Sequence, residues 1–298
     1  NDSFPKDFTG INGNYFFAAH SSALYSLETS TSDTLIGGLE LWFSDGTEAG
    51  TKPININENV YTFYEPEDGE YTPAEQIANP EFGFKAKSSS SFPRELTKFG
   101  DQLVLVANDG ISGFELWAVS DEGDNIRQIS NLAEGNTSSS PEELTVVGNR
   151  LYFTADDGTG RKLWSTSKNL EPPRLVSGAG TDPRHLTAIQ GELYFSAHSQ
   201  LGRELWVADG NNANLVEDIN PGTGSSSPEN FTALNSQRKG KIKTQLFFTA
   251  DGGERGIELW SLNLAKKSSK PERYDDIVDG PTSSEPRQLV NAEQRLFF

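Results

Sequence analysis

Apolar and polar positions alternate along this chain in short bursts, cut by Gly, Asp and Asn. Residues 141–176 show the pattern in one stretch. Glu143–Val147 reads as a first strand and Gly148-Asn149 as a turn; Arg150–Ala155 reads as a second strand, ended by Asp156-Asp157-Gly158. Lys162–Thr166 and Arg174–Val176 complete a set of four. Aromatic and β-branched runs of this length between Gly, Asp and Asn pairs are strand and hairpin signals. No segment keeps a helical period, so the chain reads as all-β.

The pattern repeats. All five Trp close one motif: Gly38-Leu39-Glu40-Leu41-Trp42, Gly113-Phe114-Glu115-Leu116-Trp117, Gly160-Arg161-Lys162-Leu163-Trp164, Gly202-Arg203-Glu204-Leu205-Trp206 and Gly256-Ile257-Glu258-Leu259-Trp260. Upstream of each stands a Pro, followed by an apolar residue and Thr: Pro5/Phe8/Thr9, Pro93/Leu96/Thr97, Pro141/Leu144/Thr145, Pro183/Leu186/Thr187 and Pro228/Phe231/Thr232. Four-stranded antiparallel units at a period of roughly 40–50 residues are the blades of a β-propeller. A one-way β-solenoid, the alternative, has shorter, parallel coils. Leu and Trp of the motif point to opposite sheet faces, which predicts packing of each between neighbouring blades.

The repeats run over residues 3–90, 91–139, 140–181, 182–226 and 227–283, within a single propeller region spanning 1–298. A partial sixth, 284–298, restarts with Pro286/Leu289/Val290 and Arg295-Leu296-Phe297-Phe298 and reaches no Trp motif. The expectation is therefore a fragment of a longer protein with six or more blades. The absence of Met likewise predicts a processed or partial chain.

Leu39-Glu40-Leu41-Trp42-Phe43-Ser44-Asp45-Gly46-Thr47-Glu48-Ala49-Gly50-Thr51 resembles the ELWxxDGT repeat of bacterial, often cyanobacterial, exported proteins. Glu204–Gly210, continued by Val216–Gly222, extends the likeness. Ser120-Asp121-Glu122-Gly123 comes close, whereas Ser165-Thr166-Ser167 and Ser261-Leu262-Asn263 lose the Asp-Gly. The resemblance implies propeller architecture and an extracellular or cell-surface setting. It brings no catalytic residues.

Charge narrows the partners. With 25 Lys+Arg against 43 Asp+Glu the net charge is −18, which argues against nucleic acid or anionic membrane surfaces. No apolar run approaches the roughly 20 residues of a membrane helix. Zero Cys excludes disulfides, thiolate catalysis and Cys–zinc sites. There is no HExxH, no Gly-x-Ser-x-Gly and no phosphate loop. The Asp-Gly loops at Asp156-Asp157-Gly158 and Asp251-Gly252-Gly253 admit calcium, yet match neither the EF-hand spacing nor the Gly-rich nonapeptide. No other cofactor is predicted.

Irregular segments mark the candidate surfaces. In the first repeat the 20–38 and 57–91 connections are expanded and share one end of the blade. The second of these carries Tyr61, Tyr64, Glu67, Asp68 and Tyr71, aromatics beside carboxylates that suit a sugar, a cation or a protein. In the fifth repeat 235–244 and 263–273 are expanded at the opposite end. They hold Arg238, Lys239, Lys241, Lys243, Lys266, Lys267, Lys270 and Arg273, a basic patch on an acidic body. Residues ending the second strands (His20, Asn108, Asp156, His198, Asp251) either converge on a ligand or begin β-turns, which favour Asn and Asp. The sequence thus predicts a non-catalytic structural or interaction module. Its partner would be a protein or polysaccharide, bound through Tyr61, Tyr64, Glu67, Asp68 and Tyr71 and through Arg238, Lys239 and Lys241. The alternatives are a propeller-type carbohydrate-active enzyme and a calcium-dependent lectin.

Overall fold

The computed structural model describes residues 3–21, 24–25, 34–35, 38–57, 90–133, 135–238, 241–266, 269–274, 278 and 282–298. The chain falls into two compact units, Asn1–Ser140 and Pro141–Phe298. The boundary lies one residue from the repeat boundary read at 139/140. No helix among the described residues is long and apolar enough to cross a membrane.

The first unit holds two four-stranded antiparallel sheets. One is built from β1 (Lys6–Ile11), β2 (Asn14–Ser21), β5 (Gly38–Ser44) and β6 (Lys52–Ile54), in that order. A short hairpin, β3 (Leu24–Tyr25) with β4 (Thr34–Leu35), sits in the connection between β2 and β5. The other comprises β7 (Arg94–Phe99), β8 (Gln102–Asn108), β9 (Phe114–Ser120) and β10 (Ile126–Gln128).

The second unit holds three more, each with neighbouring strands adjacent in sequence. They are β11 (Glu142–Val147) to β14 (Arg174–Leu175), through β12 (Arg150–Asp156) and β13 (Arg161–Ser167); β15 (Thr181–Ile189), β16 (Glu192–Ser199), β17 (Gly202–Asp209) and β18 (Asn212–Glu217); and β19 (Glu229–Arg238), β20 (Lys241–Asp251), β21 (Ile257–Asn263) and β22 (Glu272–Arg273). A final hairpin pairs β23 (Val290–Ala292) with β24 (Arg295–Phe297). Among the described residues these are the propeller blades the sequence predicts, five of them and the start of a sixth.

Register confirms the repeat residue by residue. Each Trp faces the same position of the second strand: Phe17↔Trp42, Leu105↔Trp117, Phe153↔Trp164, Phe195↔Trp206 and Phe248↔Trp260. Leu41, Leu163 and Leu205, each just before a Trp, are buried on the other face and pack toward the Trp of the following sheet. Leu41 shares a cluster with Trp117, Leu163 with Trp206 and Leu205 with Trp260. Leu259 instead meets Leu289 and Leu296 of the final hairpin. Burial of each such side chain stabilises the interface by about 1.5–3 kcal/mol.

The Pro motif shapes the first strand of every repeat. Residues on either side of it take left-handed backbone: Phe4, Phe92, Ser140, Asp182, Ser227 and Glu285 before the Pro, then Asp7, Glu95, Glu143, His185, Asn230 and Gln288 two residues after it. The second position coincides with a bulge in the ladder, as between Glu142 and Thr145. The bulge turns the Thr hydroxyl toward the next sheet. Thr9 Oγ1 donates to Leu96 O at 3.0 Å, Thr145 to Leu186 O at 3.3 Å and Thr232 to Leu289 O at 2.7 Å. Thr232→Val should therefore cost about 1 kcal/mol, read as faster amide exchange in β23 and β24. Unchanged exchange there would show that the hydroxyl does not hold the hairpin.

Candidate functional site

Strand alternation places the motif Glu on the same face as Trp, where a charged side chain needs partners. Glu40, Glu115, Glu204 and Glu258 are all buried. Each accepts from one Ser in the connection leaving its own sheet, the Ser two residues before the next Pro. Ser91 Oγ donates to Glu40 at 2.6 Å, Ser139 Oγ to Glu115 at 2.7 Å, Ser226 Oγ to Glu204 at 2.5 Å and Ser284 Oγ to Glu258 at 2.6 Å. The amide of the same Ser donates to the other carboxylate oxygen in every case. This is a latch that fixes how the chain exits each blade.

Burial pushes the Glu40 carboxyl from 4.5 up to about 8 against the pull of Ser91. It raises Glu204 too. The third sheet differs. Lys162 replaces Glu and turns to Asp157, 2.9 Å away, and to Thr159. The Thr159 hydroxyl and the Lys162 ammonium hold Asp157 down at about 2. The Ser position is Thr181 there, and the neighbouring Asp182 pairs with Arg203 and Arg184.

The expanded segments of the fifth repeat make a polar groove. Residues 235–238 and 241–244 read from sequence as an expanded turn; they instead prolong the hairpin, with Asn235↔Thr244, Ser236↔Lys243 and Arg238↔Lys241 in register. Neither stretch contains a Pro, so nothing interrupts the ladder. Lys243 and Gln245 of β20, Ser261 and Asn263 of β21 and Glu272 of β22 share one face, because Gln245 pairs with Asn263 and Ser261 with Glu272. Lys266, Ser269 and Lys270 close the wall, and the cavity measures about 440 Å³. The backbone of this wall is tied by Leu264 N–H to Thr244 O and by Ser269 N–H to Lys266 O, both at 3.0 Å. Lys270 reaches Glu217 at 2.9 Å. Lys243 and Lys266 have no carboxylate partner among the described residues. Beside the Glu272 carboxylate, the ammonium groups, hydroxyls and amides of this groove form a donor set for anionic oxygens.

The binding residues predicted from sequence divide differently. Tyr61, Tyr64, Glu67, Asp68, Tyr71 and Lys239 lie outside the described residues. Arg238 and Lys241 form the last pair of the β19–β20 ladder. Among the strand-ending polar residues, Asn108, Asp156 and Asp251 accept the N–H of Gly110, Gly158 and Gly253 at 2.7–2.8 Å, which is turn chemistry. No group of three His, Asp or Glu placed to hold a metal occurs among the described residues.

No protein-family model matches the chain, and no curated protein does. Solved structures give distant likenesses. A prolyl endopeptidase is 11% identical with a TM-score of 0.45, over 92% of this chain and 36% of its own, so the chain spans about a third of that protein. A TolB from Agrobacterium tumefaciens is 8% identical with a TM-score of 0.39, over 81% and 76%. A chain of a nidogen/laminin complex is 12% identical with a TM-score of 0.36, over 89% and 75%. Such values carry no inference about activity or partner; the architecture stands on the sheets themselves.

Proposed function

We propose that this chain is a non-catalytic interaction module of an extracellular or cell-surface protein, and that the basic groove of its fifth blade docks a carboxylate-rich polymer. The observation that carries the reading is Lys243 and Lys266, without a carboxylate partner among the described residues although the chain has a net charge of −18. In so acidic a protein, cations gathered on one face focus the field on an anionic ligand and oppose its repulsion by the rest of the surface. The buried glutamates do not favour an enzyme. Each already accepts a Ser hydroxyl and amide, one on each carboxylate oxygen.

Polyglutamate and a polyuronate, each tested at low and high salt, separate a protein-like from a glycan-like partner. The full chain should bind at least one of them, less tightly as salt rises. Lys243→Glu with Lys266→Glu should weaken that binding at least tenfold without moving the unfolding midpoint by more than a few degrees. If neither polymer binds, or the double variant binds as well as the parent, the groove is not the docking surface.

A further inference from the structure

A second cavity, in the first unit and separate from the basic groove, lies at the rim of the core between the first two sheets. It measures about 370 Å³ and is lined by Asn55, Ile56, Asp109, Trp117, Asp124 and Ile126. Ile111, 70% exposed, stands at its mouth.

The cavity coincides with the one break in the Trp pattern. Trp42, Trp164, Trp206 and Trp260 donate their indole N–H to the carbonyls of Ala19, Ala155, Ala197 and Ala250 at 2.9–3.3 Å. Trp117 makes no such bond. Its Nε1 is buried without a partner among the described residues, and so are Gln128 Nε2 and Asn55 Oδ1. Gln128 pairs directly with Trp117 across β9 and β10, so the two side chains share a face. Opposite Trp42, Trp164 and Trp206 the same place holds Pro53, Leu175 and Leu215, and opposite Trp260, whose indole keeps its bond, it holds Arg273. Asn55 and Trp117 line the cavity and Gln128 adjoins it beside Trp117; two donors and one acceptor, all buried and without a partner among the described residues, are costly to leave unpaired, and buried polar groups ordinarily have partners.

The missing partner must both accept and donate. A cation meets neither orphaned N–H. The carboxylates here are also already engaged: Asp109 accepts from Ile111 N, Ser112 N and Ser112 Oγ, and Asp124 from Ser120 Oγ. A hydroxyl meets both demands, and ring carbons bearing several hydroxyls match walls made of an indole and isoleucines. We propose that this cavity binds one pyranose unit of a glycan. Its hydroxyls take the N–H groups of Trp117 and Gln128 and give a proton to Asn55 Oδ1, while its C–H face lies against the indole of Trp117.

The test uses the full chain with ¹⁵N-labelled indoles, whose five tryptophans give five N–H resonances. Trp117→Phe identifies the Trp117 signal. The methyl glycosides of glucose, galactose, mannose and N-acetylglucosamine are added to millimolar concentration. At least one should move the Trp117 resonance saturably and leave the other four in place. Gln128→Leu and Asn55→Leu should each raise its Kd tenfold or more while the fold persists. No response of Trp117 to any glycoside, as expected of a cavity that holds only water, overturns the proposal. So does a response that survives both substitutions, or one produced only by N-acetyl amino acid amides, which would assign the cavity to peptide. Binding of polyglutamate or polyuronate at the basic groove is unaffected by either result.

Discussion

Glu115→Ala should destabilise the first unit by about 3–5 kcal/mol, the scale on which a buried polar cluster responds to loss of its central partner. The Glu115 carboxylate accepts from Ser130 Oγ at 2.6 Å, Ser139 Oγ at 2.7 Å, Ser139 N at 3.0 Å and Leu132 N at 3.4 Å. Alanine leaves all of these donors facing a void from which water is excluded. Gln at this position keeps the shape and one acceptor oxygen, and should cost about 1–3 kcal/mol. Glu122, exposed on the neighbouring turn, serves as the control: its Ala variant should stay within about 0.5 kcal/mol of the parent. Urea unfolding followed by Trp fluorescence measures all three. If Glu115→Ala falls with the Glu122 control, the latch is not a stabilising element.

The second large effect is a dependence on pH. Burial raises the Glu40 carboxyl from 4.5 to about 8. Between those values the folded chain keeps a proton that the unfolded chain has released. Stability from this group is therefore full below pH 4.5, falls as pH rises through the interval, and levels off above about 8. The interval corresponds to a loss of about 3–5 kcal/mol. Glu40→Gln removes the titration, so its stability, measured by thermal or urea unfolding from pH 4 to 9, should gain on the parent steadily across this range. Parallel profiles for parent and variant would refute the assignment.

Much of the fold was legible because two periodicities reinforce one another. Strand alternation fixes which residues share a face, and the recurring Glu-Leu-Trp fixes where each third strand begins; the predicted strand Glu143–Val147 starts one residue late and ends with the observed one, and Lys162–Thr166 falls one residue short at each end. The Glu–Ser latch was not read, since a Glu in a strand is ordinarily solvated. Its signal was nevertheless present within this one sequence. Ser stands two residues before the Pro after every repeat with Glu, and Thr181 stands there after the repeat with Lys162. The prolonged β19–β20 hairpin was read as an expanded turn because its residues are polar and basic, but the backbone ladder pairs whatever the polarity of the side chains. Trp117 could not be singled out: its motif matches the other four, and what distinguishes it is Gln128, whose place opposite the indole depends on strand register. Of the predicted basic residues, Lys243, Lys266 and Lys270 line the groove, whereas Arg238 and Lys241 mark the end of its hairpin.

The single Lys at the latch position makes one joint unlike the rest. Within each unit a blade is joined to the next through contacts between neighbours, so the unit behaves as a series of links. Where Glu and Ser meet, the link is a set of buried hydrogen bonds. After the third blade that latch is missing: Lys162 turns back to Asp157 within its own blade, and Asp182 pairs with Arg203 and Arg184, all three inside the fourth sheet. The passage from β14 to β15 thus lacks the buried fastening of its counterparts, and amide exchange along the series should be fastest there.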